Sequence, residues 1–499
     1  MPAPPQIVVD SLKGRRVAIL GLARSGRAAA RALAAGGAQI LAWDDDPAVR
    51  ASLAAEMPLA DLAAADWREI SALVLSPGIP HRYPEPHPAV LRARAAGSEI
   101  IGDIELLGRA RPDAGYVGIT GTNGKSTTTA LIGHILAAAG QRVETGGNLG
   151  TAALSLAPLG GEGTYVLELS SFQLELIDRL AFGVAVLLNI TPDHLDRHGG
   201  MAGYIAAKRR IFAHRSAAST AVVGIDDPIC RAIADELRAG PGGGPGRVVP
   251  ISVTGSAPGG VYVERGRLVD ATGRHPVEVL DLALAERLPG SHNWQNAAAA
   301  YAAARSVGVA TEAAADAIRS FPGLAHRQEL VDTIDGVRFI NDSKATNADA
   351  TEKALACYEA IYWIVGGLPK AGGITPLAPY FRRLRHAYLI GTATEEFAAT
   401  LGNSVPFTRC GDLRTATQAA AEQARRDGAP GAVVLLSPAC ASYDQFANFE
   451  ARGDEFREMV RELRGAAEAD PHPDLLPPAG EGGVGVRAAG SRSVAGRRP

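Results

Sequence analysis

Gly118-Ile-Thr-Gly-Thr-Asn-Gly-Lys125-Ser126-Thr-Thr128 is the stretch that decides the fold. The short apolar run Tyr116-Val117 precedes it, and Thr129-Ala-Leu-Ile-Gly-His-Ile-Leu136 behind it reads as a helix. A strand, a glycine-rich turn and Lys-Ser at a helix start make a cradle for a polyphosphate. Glycines let backbone N–H groups converge on phosphate oxygens, and the helix N-terminus favours negative charge. In this plan Lys125 reaches the β- and γ-phosphates and the Ser126 hydroxyl sits on Mg²⁺. The spacing is one residue off: the G-x-x-x-x-G-K pattern wants glycine at 119, Ile119 is there, and Gly118 stands one residue earlier. The competing reading is a plain glycine-rich βα turn with an incidental lysine.

Working outward, a chain of 499 residues is too long for one core, and about three domains are expected. The net charge of −3 gives no polyanion-binding face, so nucleic acid is not an expected partner. Abundant Ala and Gly with few aromatics fit an α/β enzyme built on many βα turns. Cys230, Cys357, Cys410 and Cys440 have no C-x-x-C spacing, which argues against a disulfide framework or a zinc site. No signal peptide and no membrane-spanning run are read, so a cytoplasmic protein without membrane insertion is expected.

Before the loop, Arg16-Val-Ala-Ile-Leu20, the turn Gly21-Leu-Ala-Arg-Ser-Gly26 and a second strand ending at Asp44 form a βαβ unit. It resembles a dinucleotide fingerprint, but Ala23 replaces the middle glycine, and its Cβ would obstruct a pyrophosphate. NAD, a structural turn and another nucleotide site are the alternatives. Ala72-Leu-Val-Leu-Ser76-Pro-Gly78 is a further strand running into a turn. The polar connector Arg109–Gly115 marks a domain boundary.

After the loop, apolar runs end in polar residues that belong beside it on one sheet edge. Tyr165-Val-Leu-Glu168 ends in an acid, and Val184–Asn189 leads to Asp193-His194-Leu-Asp196. Mg²⁺ keeps several waters, so one carboxylate, a hydroxyl and phosphates suffice to hold it; Glu168 is the candidate ligand. Lys208 lies in a predicted helix, 205–212, and on the residues alone reads as a surface lysine. Residues 240–285 read as loops and hairpins at the side of the domain. Pro289-Gly-Ser-His-Asn293-Trp-Gln-Asn296 is expected to cap an alanine-rich helix over 297–306. From His326-Arg327 a third domain repeats the strand–motif–helix plan, with polar clusters at Asp342-Ser-Lys344-Ala-Thr346, Lys370 and Ser437–Phe449. These repeats imply a doubly wound parallel sheet. From about residue 465 the composition predicts a disordered tail.

The motifs together resemble the Mur ligase family. They are the loop itself, Glu168-Leu-Ser-Ser-Phe-Gln-Leu174, Asn189-Ile-Thr-Pro-Asp-His-Leu-Asp-Arg197, Ala-Ala-Lys208-Arg-Arg-Ile211, His292-Asn-Trp-Gln-Asn296 and His326-Arg327. Asn341-Asp-Ser-Lys-Ala-Thr-Asn347 and Ser437-Pro-Ala-Cys-Ala-Ser-Tyr-Asp-Gln-Phe-Ala-Asn-Phe449 are similar to its D-glutamate-adding branch. The resemblance covers roughly residues 12–465, and Ile119 belongs to this family's form of the loop.

It implies an α/β fold of three domains. Residues 1–109 would be an N-terminal Rossmann-like UDP-binding domain. Residues 110–325 would be a central P-loop ATPase-like parallel sheet, and 326–465 a C-terminal Rossmann-like amino-acid-binding domain; 466–499 would be the tail. It implies ATP-dependent addition of D-glutamate to UDP-N-acetylmuramoyl-L-alanine through an acyl phosphate, by a monomer. Ser25, Asp44, Ser76 and Gly78 would hold the uridine diphosphate part, and Asn148 and His194 the sugar-phosphate substrate. ATP would meet Gly118, Thr120, Gly121, Thr122, Asn123, Gly124, Lys125, Ser126, Thr127, Asn293, Asn296, Arg327 and Asp342. Lys344, Thr346, Lys370, Ser442 and Phe449 would surround D-glutamate. Lys125, Glu168, His194 and Lys208 would be catalytic. Two Mg²⁺ ions would be held by Ser126, Glu168, His194 and Lys208, the last as a carbamate. The alternatives are another ligase of the superfamily, such as a folylpolyglutamate-type enzyme, an NAD-dependent dehydrogenase, and an NTP-driven switch.

Overall fold

The computed structural model describes residues 7–469 except 149, 241–245 and 371, with side chains described to residue 465. The chain divides into two compact units, one ending at Glu329 and the other beginning at Leu330. The expected tail lies outside the described residues, apart from 466–469, which continue the helix Phe449–Ala469. Among the described residues no helix is long and apolar enough to cross a membrane.

The first unit holds two sheets. The smaller has four parallel strands in the order Gln39–Trp43, Arg16–Leu20, Ile70–Leu75, Glu99–Ile101. The chain leaves Arg16–Leu20 toward one edge and returns on its other side. The strand order therefore switches between Arg16–Leu20 and Ile70–Leu75, where ligands of open α/β sheets bind. The turn at Gly21 and the turn at Ser76 flank that point.

The larger sheet runs Val277–Asp281, Arg267–Asp270, Val261–Glu264, Arg247–Ser252, Thr220–Gly224, Val184–Leu187, Gly115–Thr120, Gly163–Glu168, Arg142–Gly147. From Val261–Glu264 to Arg142–Gly147 every pairing is parallel. The first two strands in this order pair antiparallel. Residues 261–281 thus form hairpins at the edge of the domain, as read from the sequence, but they continue the central sheet through the parallel strand Arg247–Ser252, which the sequence reading did not foresee. Short runs broken by Pro250 and Gly259-Gly260 hid strands whose stability comes from their neighbours. Strands buried on both faces read as continuous apolar runs. In Val184-Ala-Val-Leu187, Ala185 and Leu187 enter one core while Val184 and Val186 enter the other.

The alanine-rich helix begins at Ser291, earlier than expected, and runs to Ser306. Gly290 is its N-cap, with no side-chain cap bond, so Asn293 and Asn296 lie inside its first turns and do not cap it. Ala297 to Ala304 are all buried. A helix apolar all round belongs in a core, and its methyl side chains permit close approach to the helix Lys125–Ala138.

In the second unit the six-stranded sheet runs Glu329–Ile334, Val337–Asn341, Val433–Leu436, Ile361–Gly366, Leu384–Ile390, Phe407–Gly411. The last five are parallel. The first is joined to the second by Asp335-Gly336, both with positive φ (51° and 79°), the tight hairpin turn that Asp-Gly favours. Ile361, Trp363 and Val365 face one core, Tyr362 and Ile364 the other.

Candidate active site

The phosphate loop leaves the central strand Gly115–Thr120 and enters the helix Lys125–Ala138. Gly124 is the N-cap, with φ 85°. A Cβ there would stand 2.3 Å from Asn296 Oδ1, so both backbone shape and the neighbouring amide require glycine. Gly118 has a different reason: it lies within the strand, and a Cβ would meet the Phe182 ring at 2.7 Å. Lys125 Nζ donates to the carbonyls of Gly121 (2.9 Å) and Thr122 (2.8 Å). Thr120 Oγ1 donates to Leu169 O, and Thr122 Oγ1 pairs with the Tyr204 hydroxyl at 3.1 Å. Asn123 gives its N–H to Asn189 Oδ1 (2.9 Å), and its carbonyl accepts from Asn189 Nδ2 (3.2 Å). Ser126 and Thr127 are buried at the helix start. Ser126 Oγ accepts from Arg327 Nη2 (3.3 Å), which brings two sequence-distant candidates together. Thr128 Oγ1 donates to Asn296 Oδ1, and Asn296 Nδ2 donates to Asn293 Oδ1.

Glu168 ends the neighbouring strand and is 2 % exposed. Its Oε1 accepts from Asn148 Nδ2 (2.7 Å). Its Oε2 is buried with no hydrogen-bond partner among the described residues. A buried carboxylate oxygen in that state suits a hard cation, which favours oxygen ligands. No cluster of three His, Cys, Asp or Glu among the described residues could hold a metal alone. A cation on Glu168 would therefore draw the rest of its shell from other oxygens, such as hydroxyls, phosphates and water.

Lys208 is 1 % exposed on the helix Met201–Arg209, which overturns its reading from the residues alone as a surface lysine. Its Nζ donates to Gly121 O (2.7 Å) and lies 4.7 Å from the Tyr204 ring centroid. Burial, and then the nearby Lys125 charge, push its ammonium down to about 7. His194 is half exposed, in the left-handed region (φ 50°), with Nε2 3.4 Å from Asp193 Oδ2. Its ring packs on Phe172, which also stacks against the buried His198 and lies under Arg197.

At the smaller sheet, Asp44 Oδ2 accepts from Leu22 N (2.6 Å) and Ser76 Oγ donates to Gly21 O (2.8 Å). Both candidates therefore shape the Gly21 turn. Ser25, Gly26, Ser76 and Asp103 line one cleft. Burial pushes the Asp103 carboxyl up to about 6. Gly78 O accepts from Arg197 Nη1 (3.0 Å), which ties this turn to the His194 loop.

In the second unit, Asp342 is buried at the end of Val337–Asn341, and its Oδ2 accepts from Ser437 Oγ (2.8 Å). Lys344 Nζ stands 5.1 Å from the Phe449 ring centroid. Thr346 N donates to Lys344 O. Lys370 is exposed after the strand Ile361–Gly366, and Ser442 is 2 % exposed. Sequence reasoning missed Arg452, 1 % exposed, whose guanidinium donates to Ser343 Oγ, Ser343 O and Cys440 O. It also missed Asn189, Tyr204 and Gln295 as shapers of the loop. Asn189 and Gln295 stood inside recognised motifs, and that was the available signal.

A glycine-rich loop opening a helix at the centre of a parallel sheet places the chain among the P-loop nucleotide-binding α/β proteins. Residues 119–304 match the Mur ligase middle domain, and residues 326–440 match the Mur ligase glutamate ligase domain. The chain belongs to the Mur ligase family. It is 57% identical over 456 residues to UDP-N-acetylmuramoylalanine–D-glutamate ligase of Rhodospirillum rubrum, covering 90% of this chain and 95% of that one. The Phenylobacterium zucineum protein of the same name is 53% identical over 471 residues, covering 93% and 100%. Among solved structures, UDP-N-acetylmuramate–alanine ligase from Thermotoga maritima superposes with a TM-score of 0.54 at 16% identity, over 90% of this chain and 99% of that one. A UDP-N-acetylmuramoyl-L-alanyl-D-glutamate–2,6-diaminopimelate ligase gives 0.52 at 21% identity, over 80% and 94%. At such identities the structures speak for the fold alone.

Proposed function

We propose that this chain joins the amine of D-glutamate to the L-alanine carboxylate of UDP-N-acetylmuramoyl-L-alanine, with conversion of ATP to ADP and phosphate, in peptidoglycan synthesis. The observation that carries the reading is the phosphate loop beside a buried acid with one unpartnered oxygen, in a chain more than half identical to D-glutamate ligases along nearly its whole length.

In the first step the substrate carboxylate attacks the γ-phosphorus of ATP. The bond to the β-γ bridging oxygen breaks, leaving an acyl phosphate and ADP. Phosphoryl transfer needs positioning and charge neutralisation more than covalent help. Lys125 and the loop N–H groups hold the phosphates, and Arg327, bonded to Ser126 Oγ, adds a second cation. Ser126 and Glu168 would hold Mg²⁺, which would supply charge neutralisation for the transferring group. Lys208, its amine brought toward neutrality by burial, can add to CO₂; an N–C bond forms, a proton leaves, and the carbamate would offer a carboxylate to a second Mg²⁺. His194 would be a further ligand for that ion. In the second step the D-glutamate amine attacks the acyl carbon, and phosphate leaves through a tetrahedral intermediate.

The division of labour is part of the proposal. Ser25, Asp44, Ser76 and Gly78 hold the uridine diphosphate, and Asn148 and His194 the sugar end. Asn293, Asn296, Arg327 and Asp342 hold the nucleotide. Lys344, Thr346, Lys370, Ser442 and Phe449 receive D-glutamate, whose two carboxylates suit cations and hydroxyls. The domains are 1–109, 110–325 and 326–465. A monomer is part of the proposal, and the need for ATP supports a cytoplasmic setting.

A phosphate-release assay tests the reading. Release should require both UDP-N-acetylmuramoyl-L-alanine and D-glutamate. Release without the amino acid, or preference for L-glutamate or another amino acid in a screen, would overturn it.

A further inference from the structure

A chain of side-chain amides runs from a carboxylate outside the site to the bend of the phosphate loop. Asp226 follows the strand Thr220–Gly224. Its carboxylate accepts from Ser252 Oγ (2.6 Å), Thr254 Oγ1 (2.7 Å), Val253 N (3.1 Å) and Gln295 Nε2 (2.9 Å). Burial works to raise its pKa, but these donors outweigh it and hold the group below the usual carboxylate range. An ionised carboxylate only accepts hydrogen bonds. The Gln295 amide must therefore turn its NH₂ to Asp226, which leaves Oε1 facing Asn189. Asn189 then gives Nδ2 to Gln295 Oε1 (3.4 Å) and to Asn123 O (3.2 Å), so its Oδ1 receives Asn123 N (2.9 Å). Asn189 O also accepts from Thr122 N (2.9 Å). Gly224 keeps the corridor open: a Cβ there would stand 2.0 Å from Leu188 O and 3.4 Å from Gln295 Nε2.

We propose that Asp226 and Gln295 are positioning residues for the nucleotide: the carboxylate fixes which way the Gln295 and Asn189 amides point, and Asn189 holds the loop's Thr122 and Asn123 peptides in their ATP-binding shape. Neither residue need touch ATP. The inference rests on the ATP-dependent reading above.

Asp226→Asn leaves one acceptor oxygen for donors that the carboxylate met with two, so an NH₂ faces either Gln295 or the donors of residues 252–254. A Gln295 turned to suit it brings its own NH₂ against Asn189 Nδ2 and strains the bonds from Asn189 to Asn123. The cost of one misdirected buried hydrogen bond is read as about a tenfold rise in KM for ATP, with the KM values of the other two substrates within about twofold. Gln295→Glu alone sets two carboxylates face to face and should weaken ATP by at least about tenfold. The double variant Asp226→Asn/Gln295→Glu moves the acceptor one place along. The new carboxylate can accept both from the amide introduced at position 226 and from Asn189, so KM for ATP should return to within about threefold of the parent. A role in folding alone would not produce that rescue or single out one substrate.

An unchanged KM for ATP in Asp226→Asn overturns the inference, as does a double variant no better than its worse single. If Asp226→Asn gives no folded protein, Gln295→Leu at its half-buried site carries the same test, and again an unchanged KM overturns it. The rise in melting temperature on adding ATP is measured alongside. If the parent enzyme shows no substrate-dependent phosphate release, the proposed function fails. The relay is then still judged by whether the variants lose the ATP-induced melting shift.

Discussion

At the scale of single residues, two buried carboxyls, Glu168 and Asp103, each carry one oxygen without a hydrogen-bond partner among the described residues. Glu168 has one oxygen bonded to Asn148 and one oxygen without a partner among the described residues. Glu168→Gln keeps the shape and the bond from Asn148 to the amide oxygen, but its NH₂ cannot ligate a cation. Turnover should fall on the order of 10²–10³-fold, with the Mg²⁺ concentration for half-maximal rate rising, in a magnesium titration of phosphate release. Asp103 is fully buried and its carboxyl is pushed up to about 6 from an ordinary 3.8. Between those values the unfolded chain gives up the proton more readily than the folded one. The contribution of Asp103 to stability should therefore fall as pH rises from about 4 to 6 and level off above. Asp103→Asn removes that slope, and its advantage over wild type should grow by about 1–3 kcal/mol across the window, measured by urea unfolding at each pH. Glu168 was legible in the sequence because an acid ended an apolar run near the loop. Asp103 was not, since burial under the Gly21 turn is a property of the assembled domain.

At the scale of elements, the phosphate loop and its helix were legible because their chemistry is local: glycine, lysine and serine within a few residues dictate strand, turn and helix start. Strands whose support comes from elsewhere were not. Residues 247–281 pair mainly with one another and with Thr220–Gly224, so short windows announced hairpins there but not that they continue the central sheet. The helix Ser291–Ser306 lies between. Its alanines announced a helix, but its start moved to Ser291 because Gly290, with φ 84°, makes the cap. The same alanines set a packing distance. Ala300 is 0 % exposed in the core shared with Leu131, Ile132 and Ile135. Ala300→Leu adds volume where neighbouring backbones already approach closely. It should cost about 1–3 kcal/mol in denaturant unfolding, and it should weaken nucleotide binding because Asn293 and Asn296 ride on the same helix.

At the scale of the whole molecule, the sheets differ in how far each can stand alone. One contiguous core runs from Ile7 through the smaller sheet's helices into the central sheet, as far as Ala257. The buried Glu105, on the helix Asp103–Ala110, accepts through Oε2 from Asp178, Arg179 and Leu180 N–H at 3.0–3.1 Å. An N-terminal piece of residues 1–109 would lose these partners and expose the apolar face that meets Leu154, Leu156 and Leu174. The six-stranded sheet has both faces covered by residues of its own unit, one around Trp363 and Phe397, the other around Tyr388 and Phe456. Residues 326–469 made alone should therefore fold, with a single cooperative thermal transition by circular dichroism. Residues 1–109 should show no cooperative transition and should bind a hydrophobic dye. A cooperative melt for 1–109, or none for 326–469, would mean that the continuity of the cores does not set the folding units. The outcome also bears on chemistry: titrating an independently folding 326–469 with D-glutamate by calorimetry tests the proposed recognition of the amino acid there, apart from phosphoryl transfer on the loop that begins at Gly118.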